Sequence, residues 1–191
     1  MLKTIVIAVC IYLYASIPFS LLVGFLFGKD IRKEGSGNVG GTNLGRTCGS
    51  KAFVLGFIMD LSKGALAVLI AGGLGFNPLL AGVIAILGHT FSVFLNFKGG
   101  KGVATAFGFV LAYSFWGAIF AITVFLIVLK ISKYVSLSSI IAIFSYFLYT
   151  IFFQSAVYSI AIFIVFCFVT FLHRENIKRI QEGTERKITW M

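Results

Sequence analysis

The chain has 191 residues, of which 59% are hydrophobic and only 12% charged, with a mean hydropathy of +1.03. Soluble domains are usually about 45–50% apolar, so a water-soluble globular protein is excluded and an integral membrane protein is expected. The net charge of +10 is not a nucleic-acid signal, because no basic stripe is interleaved with exposed aromatics; in a membrane protein Lys and Arg collect in cytoplasmic loops and meet anionic headgroups there.

The first apolar run, Leu2–Phe27, is long enough to cross a hydrocarbon core of about 30 Å. No small-residue cleavage site follows it, so it reads as a retained helix and not as a signal peptide. Ser16, Pro18 and Ser20 interrupt it, and a proline there is expected to kink the helix. Next comes Gly28–Lys51, with the glycine-rich island Glu34–Arg46 inside it. Gly35, Gly37, Gly40, Gly41 and Gly45 free the backbone to fold back and present N–H groups. Ser36, Asn38, Thr42 and Asn43 add short hydrogen-bonding side chains, and Arg46 adds a planar cation suited to phosphate or carboxylate. The island suits an anion held against backbone amides; an ordinary glycine loop is the plain alternative. Its spacing matches neither the dinucleotide fingerprint nor the Walker A loop.

Ala52–Phe76 is apolar again, with Asp60 and Lys63 inside it at i,i+3, on one helical face. A neutralising structural pair is preferred over a catalytic carboxylate, since ionisable groups in membranes usually pair. After the turn Gly75–Pro78 comes Leu79–Phe97 with His89 inside. His89 reads as a hydrogen-bonded interior group, with Thr90 and Ser92 as its expected partners. The stretch Phe97–Thr105 then places three glycines and two lysines before an apolar helix, a basic approach to a helix N-terminus and a ready anion site.

Val103–Ile131 decides the topology. As one helix its 29 residues would reach about 43 Å, and the basic groups on either side of it would fall on opposite faces, against the positive-inside rule. A turn near Tyr113–Gly117 makes two crossings, the first of them short. With Leu137–Phe153 and Ala156–Leu172 as the last two spans, 15 of the 16 Lys and Arg, all but Lys3, then lie at or near the cytoplasmic face. The expected fold is an all-α integral membrane protein with seven transmembrane helices, N-terminus outside and C-terminus cytoplasmic; five spans is the runner-up. Residues 1–191 are expected to form a single transmembrane domain, because no polar segment is long enough to build its own core. The serines of the turn Lys130–Ser139 read as helix caps, and the mixed-charge tail His173–Lys187 as a membrane-surface helix.

Several motifs, taken together and in order, resemble the PlsY family, the acyl-phosphate:glycerol-3-phosphate acyltransferases of bacteria. They are Ser-Gly-Asn-Val-Gly-Gly-Thr-Asn at 36–43 with Arg46, Asp-Leu-Ser-Lys-Gly at 60–64, Gly88-His89 and Phe-Lys-Gly-Gly-Lys-Gly-Val-Ala-Thr at 97–105. Tyr-Val-Ser-Leu-Ser-Ser-Ile at 134–140, His-Arg-Glu-Asn-Ile-Lys-Arg at 173–179 and Gly-Thr-Glu at 183–185 complete the set. Two departures are visible: the family usually has Ala where this chain has Gly41, and Pro where it has Ser92.

The resemblance implies transfer of a fatty acyl group from acyl phosphate to the first hydroxyl of sn-glycerol 3-phosphate, giving lysophosphatidic acid and phosphate, at the bacterial cytoplasmic membrane. Acyl phosphate, sn-glycerol 3-phosphate, membrane lipid and the enzyme that makes acyl phosphate are the expected partners, with no nucleic acid, no cofactor and no metal. Both substrates carry phosphate, so the site needs two anion pockets with cations on hand. The donor is already activated, so the protein is expected mainly to position substrates and stabilise developing charge. Ser36, Arg46 and Lys101, with His173 and Asn176, are assigned to glycerol phosphate and its hydroxyl. Thr42, Asn43, the amides of Gly99, Gly100 and Gly102, and Ser136 are assigned to the acyl phosphate, and Asn38 is counted with the substrate-binding residues. The general base is either His173 or a substrate phosphate oxygen. Cys10, Cys48 and Cys167 form no CxxC and no disulfide framework, and no His neighbours Cys48 in sequence to activate it. An anion transporter is the rival reading, but its repeat-related loops near the midplane are not what two dissimilar glycine loops offer. A metal-dependent phosphotransferase would need clustered Asp residues, and the chain has only Asp30 and Asp60.

Overall fold

A computed structural model describes residues 1–188. Among them there is no strand; the chain is a succession of helices, and large apolar side chains such as Leu26, Ile58, Leu69, Ile131 and Phe152 face outward. An apolar exterior of this kind is stable only in lipid, so the protein is an all-α integral membrane protein.

Five stretches are long and apolar enough to cross a bilayer: Leu2–Leu26, Ser50–Gly73, Pro78–Leu95, Phe115–Ser132 and Val135–Phe153. Ala156–Leu172 qualifies only when taken together with Arg174–Gln181 across a 57° bend, and Val103–Tyr113 is apolar but short. The chain forms two compact units, Met1–Tyr113 and a second that begins at Ser114.

In the first unit, α1 (Leu2–Ser16) and α2 (Phe19–Leu26) are separated at Ile17–Pro18, because proline has no N–H and crowds the preceding turn. The glycine-rich island contains an unexpected element: α3 (Gly41–Cys48) is helical. It is followed by α4 (Ser50–Gly73) and α5 (Pro78–Thr90), the latter capped by the Asn77 side chain accepting from Leu80 N–H. A single 3₁₀ turn, Val93–Leu95, leads into the second glycine loop, and α6 (Val103–Tyr113) closes the unit. The apolar run expected to reach Phe97 thus stops being α-helical at Thr90.

The contact of α4 with α6 is extensive and close. A Cβ at Gly64 would overlap the Thr105 carbonyl, and one at Gly108 would overlap the Leu61 carbonyl. Small residues let membrane helices approach backbone to backbone. Ile11, Ala15, Ala67, Ala71, Phe76, Ala81 and Ala85 fill one end of the unit. Leu21, Val23, Ile31, Leu44 and Ala52 fill the other, with Leu95 packed against them. Residues under the first glycine loop and before the second therefore share one apolar cluster.

The second unit consists of α7 (Phe115–Ser132), α8 (Val135–Phe153), α9 (Ala156–Leu172) and the short α10 (Arg174–Gln181). The chain does break between Tyr113 and Phe115, as the charge distribution required. Within this unit α8 packs between α7 and α9. Its buried polar pair is Tyr146 and Tyr158, whose hydroxyls lie 2.8 Å apart.

Candidate active site

The first polar centre is the loop that precedes α3. Asn43, 2% exposed, organises it. Its Nδ2 donates to the carbonyls of Ile31 (2.8 Å) and Glu34 (3.1 Å), and its Oδ1 accepts the Ser36 N–H (2.8 Å). Ser36 itself is exposed, between Gly35 at φ +63° and Gly37 at φ +70°. Asn38, Thr42 and Arg46 are half-buried. Arg46 lies three residues after Asn43, on the same side of α3. The neighbouring cations are matched locally. Arg32 makes a two-bonded pair with Asp30 (2.9 and 2.8 Å), whose hydrogen bond draws the carboxyl down to about 2, and Lys29 lies 3.3 Å from Glu34.

Gly45 sits inside α3 because Phe53 presses against it; an added Cβ would stand 3.0 Å from the Phe53 Cβ. At Gly41 an added Cβ meets only the Phe53 ring edge at 3.7 Å, so space is not what keeps it glycine.

The second polar centre is the loop after α5. The Gly99 N–H donates to the Thr90 carbonyl (2.8 Å) and the Gly100 N–H to the His89 carbonyl (3.2 Å). Two amides expected to face an anion are therefore directed into the protein and fix the loop instead. Gly102 has φ +74° and launches α6; Lys101 is half-buried. Beneath the loop is a buried ionic cluster. Lys63 Nζ lies 2.7 Å from Asp60 Oδ1 and 3.2 Å from His89 Nδ1. The Ser20 hydroxyl donates to Asp60 Oδ2 (2.5 Å), and the Thr105 hydroxyl to the Asp60 carbonyl (2.9 Å). Asp60 and Lys63 are each 1% exposed, which suits the structural pair and not a carboxylate in contact with substrate. The expected partners of His89 are corrected: it meets Lys63, and the Ser92 hydroxyl donates to the Ser16 carbonyl instead. A Cβ at Gly100 would overlap His89 Nε2, so the loop lies directly on the imidazole.

The second unit carries its own polar cluster. Glu185 accepts from Ser136 Oγ (3.1 Å), Asn176 Nδ2 (2.7 Å) and Arg179 Nε (2.7 Å). Burial pushes its carboxyl up, but hydrogen bonds from Arg179, Asn176 and Ser136 outweigh that and hold it below its ordinary value. Ser136 and Asn176, both buried, thus direct donors at an acceptor within the protein. His173 is 4% exposed, and its Nδ1 lies 2.8 Å from the Val169 carbonyl. A carbonyl only accepts, so Nδ1 carries a proton.

Sequence reasoning did not find Ser20, Thr105 or the part played by Glu185. The i,i+3 spacing pointed to Asp60 and Lys63; nothing local pointed to partners 26 to 49 residues away. Among the described residues no group of three or more His, Cys, Asp or Glu could hold a metal ion.

A family model described as glycerol-3-phosphate acyltransferase matches residues 5–183. The glycerol-3-phosphate acyltransferase of Geobacillus kaustophilus is 44% identical over 191 residues, covering 98% of this chain and 97% of that one. Two crystal structures of PlsY (YgiH), described as an integral membrane glycerol 3-phosphate acyltransferase, share its fold at 37% identity. The glycerol 3-phosphate form superposes with a TM-score of 0.91, covering 97% of this chain and 96% of that one. The lysophosphatidic acid form superposes with 0.89, covering 97% and 95%.

Proposed function

Because the chain belongs to the glycerol-3-phosphate acyltransferase family of integral membrane enzymes, we propose that its acyl donor is an acyl phosphate and its acceptor the 1-hydroxyl of sn-glycerol 3-phosphate. The hydroxyl oxygen attacks the acyl carbonyl carbon, an ester C–O bond forms, and the acyl–phosphate C–O bond breaks. Phosphate leaves with the bonding pair, and lysophosphatidic acid is the other product. The hydroxyl proton goes either to a phosphate oxygen or to His173, whose ring is held by Nδ1 on the Val169 carbonyl.

One observation carries this reading. The two polar segments that match the family, Ser36–Arg46 and Lys98–Gly102, are attached to one apolar cluster at the same end of the first unit. A pair of phosphate-bearing substrates needs two such anion sites side by side. Ser36, Arg46 and Lys101 are assigned to glycerol phosphate; Asn38, Thr42 and the Gly102 amide, at the start of α6, to the acyl phosphate. His173 and Asn176 are assigned to the acceptor substrate, and Ser136 to the acyl phosphate, by family resemblance. The charge on the phosphates is met by Arg and Lys and by helix N-termini, and binding both substrates together supplies most of the rate.

The same reading sets seven crossings: α1 with α2, α4, α5 with its 3₁₀ turn, α6, α7, α8 and α9. The N-terminus lies outside and the C-terminus in the cytoplasm of a bacterial inner membrane, with the glycine loops of the first unit on the cytoplasmic side. This places all Lys and Arg but Lys3 and the mid-helix Lys63 at or near the cytoplasm.

The test is direct. Purified protein in detergent or lipid cubic phase receives palmitoyl phosphate and sn-glycerol 3-phosphate, and phosphate and lysophosphatidic acid are followed. Product is expected from the wild type and lost in Arg46→Ala and Lys101→Ala. No product, with palmitoyl-CoA also inert, overturns the reading. Activity with palmitoyl-CoA alone overturns the acyl phosphate assignment.

A further inference from the structure

We infer that Asn43 is a positioning residue: it clasps the Ile31–Ser36 loop to α3, and so sets Ser36 relative to Arg46, without itself holding substrate. The inference rests on the proposed roles of Ser36 and Arg46, and deepens them.

An asparagine side chain has two N–H donors and a carbonyl with two lone pairs. In Asn43 both donors are committed, to the carbonyls of Ile31 and Glu34, and Oδ1 holds the Ser36 N–H. All three partners are main-chain atoms of one short loop that no helix or strand ladder supports. With the side chain 2% exposed, each of these bonds replaces one that water would otherwise make, and leaving a buried group unpaired costs its full desolvation. A phosphate oxygen would have to take a donor away from one of the two carbonyls.

The loop is shaped to receive this clasp. Gly35 has φ +63°, and a Cβ there would overlap Asn43 Oδ1. Gly37 at φ +70° then turns the chain back. Ser36 is thus held through its own N–H, directly to Asn43, while its exposed side is turned to solvent. Arg46 follows Asn43 by three residues on the eight-residue α3. One side chain consequently fixes the separation between a hydroxyl and a guanidinium that the reaction needs at one substrate. Misplacing such groups by about 1 Å costs on the order of a hundredfold in rate.

A double-mutant cycle between Asn43 and Ser36 tests this, using the full-length protein in the acyl phosphate assay. The Asn43→Asp side chain is isosteric and keeps an acceptor for Ser36, but when ionised it presents no donor to the two carbonyls. Expected is a fall of at least about tenfold in kcat/KM, with a melting temperature that still reports a folded protein. Ser36→Ala is expected to cost much in the wild type and little in the Asn43→Asp background, because the hydroxyl is already misplaced there. If the two losses instead multiply, the positioning role is overturned, because independent effects, a merely smaller folded fraction among them, multiply. If Ser36→Ala has no effect in the wild type, it is the proposed role of Ser36 that fails. Should Asn43→Asp not fold, hydrogen exchange on the substrate-free wild type decides. The Ser36 amide is expected to be protected although its residue is exposed; free exchange overturns the clasp.

Discussion

Replacing Asp60 by Asn leaves a lysine buried in a membrane helix without a counterion. Lys63 is 1% exposed, and besides Asp60 it meets His89 Nδ1 at 3.2 Å and the Phe19 ring at 5.2 Å. Neither carries a formal negative charge. Breaking one side of a buried ion pair typically costs about 3–5 kcal/mol. Proton loss offers Lys63 an escape, but neutralising an ordinary lysine at pH 7 costs about 4–5 kcal/mol, so it sets the ceiling and gives no relief below it. At roughly 2–4 °C per kcal/mol for a chain of this size, the melting temperature of Asp60→Asn should fall by roughly 6–20 °C. The assay is thermal unfolding in one detergent at one protein concentration. The double replacement Asp60→Leu with Lys63→Met removes both charges and keeps much of the volume. It is expected to regain most of the lost stability, since exchanging a whole buried pair for apolar residues is often neutral or better. An Asp60→Asn protein melting within about 2 °C of wild type, or a double variant weaker than the single one, refutes the reasoning.

Gly108→Ala forces a methyl into the Leu61 carbonyl where α4 and α6 touch; a loss of about 1–3 kcal/mol is expected, read as a lower melting temperature, whereas Gly41→Ala meets only a ring edge and should melt no lower than wild type. The Glu185 carboxyl is held below its ordinary value of 4.5, burial opposing and Arg179, Asn176 and Ser136 prevailing. Its stabilisation is therefore present above about 4.5 and is lost as pH falls through the lower folded value. Hydrogen exchange over residues 174–188 should accelerate in that acid window in the wild type, and Glu185→Gln should be fast already at neutral pH. Activity is expected to survive EDTA and not to respond to added Mg²⁺; loss with chelator and recovery with metal would show that an ion takes part.

The helices were legible because lipid makes their signal coarse. Long apolar runs had to be spans, Pro18 had to break the first, and the unequal placement of Lys and Arg called for a break after Tyr113, which the structure contains between Tyr113 and Phe115. What was not legible depends on partners distant in sequence. Gly41 and Gly45 argue against a helix by propensity, yet α3 forms there because Asn43 holds the loop before it and Phe53 packs on its surface. His89 was expected to bond its neighbours; only the packing of α4 against α5 shows that Lys63, 26 residues earlier, reaches it first. Glycine amides in sequence look like anion donors, and nothing local reveals that those of Gly99 and Gly100 point inward.

These placements explain how loops between helices keep their shape without a sheet beneath them. A loop between helices leaves main-chain groups that must be satisfied, and here buried side chains and carbonyls do it. Asn43 satisfies the first loop, and the carbonyls of His89 and Thr90 satisfy the second. The Asp60–Lys63–His89 cluster in turn fixes the ring on which Gly100 rests. An acyl phosphate already carries its leaving group, so an enzyme that uses it gains little from a nucleophile of its own and most from holding two anions in register. Polar side chains at such a site are then better spent on shaping the loops than on touching the substrate. On this view substitutions at Asn43 and Gly100, whose polar groups are bonded within the protein, should lower kcat/KM nearly as much as those at Ser36 and Arg46.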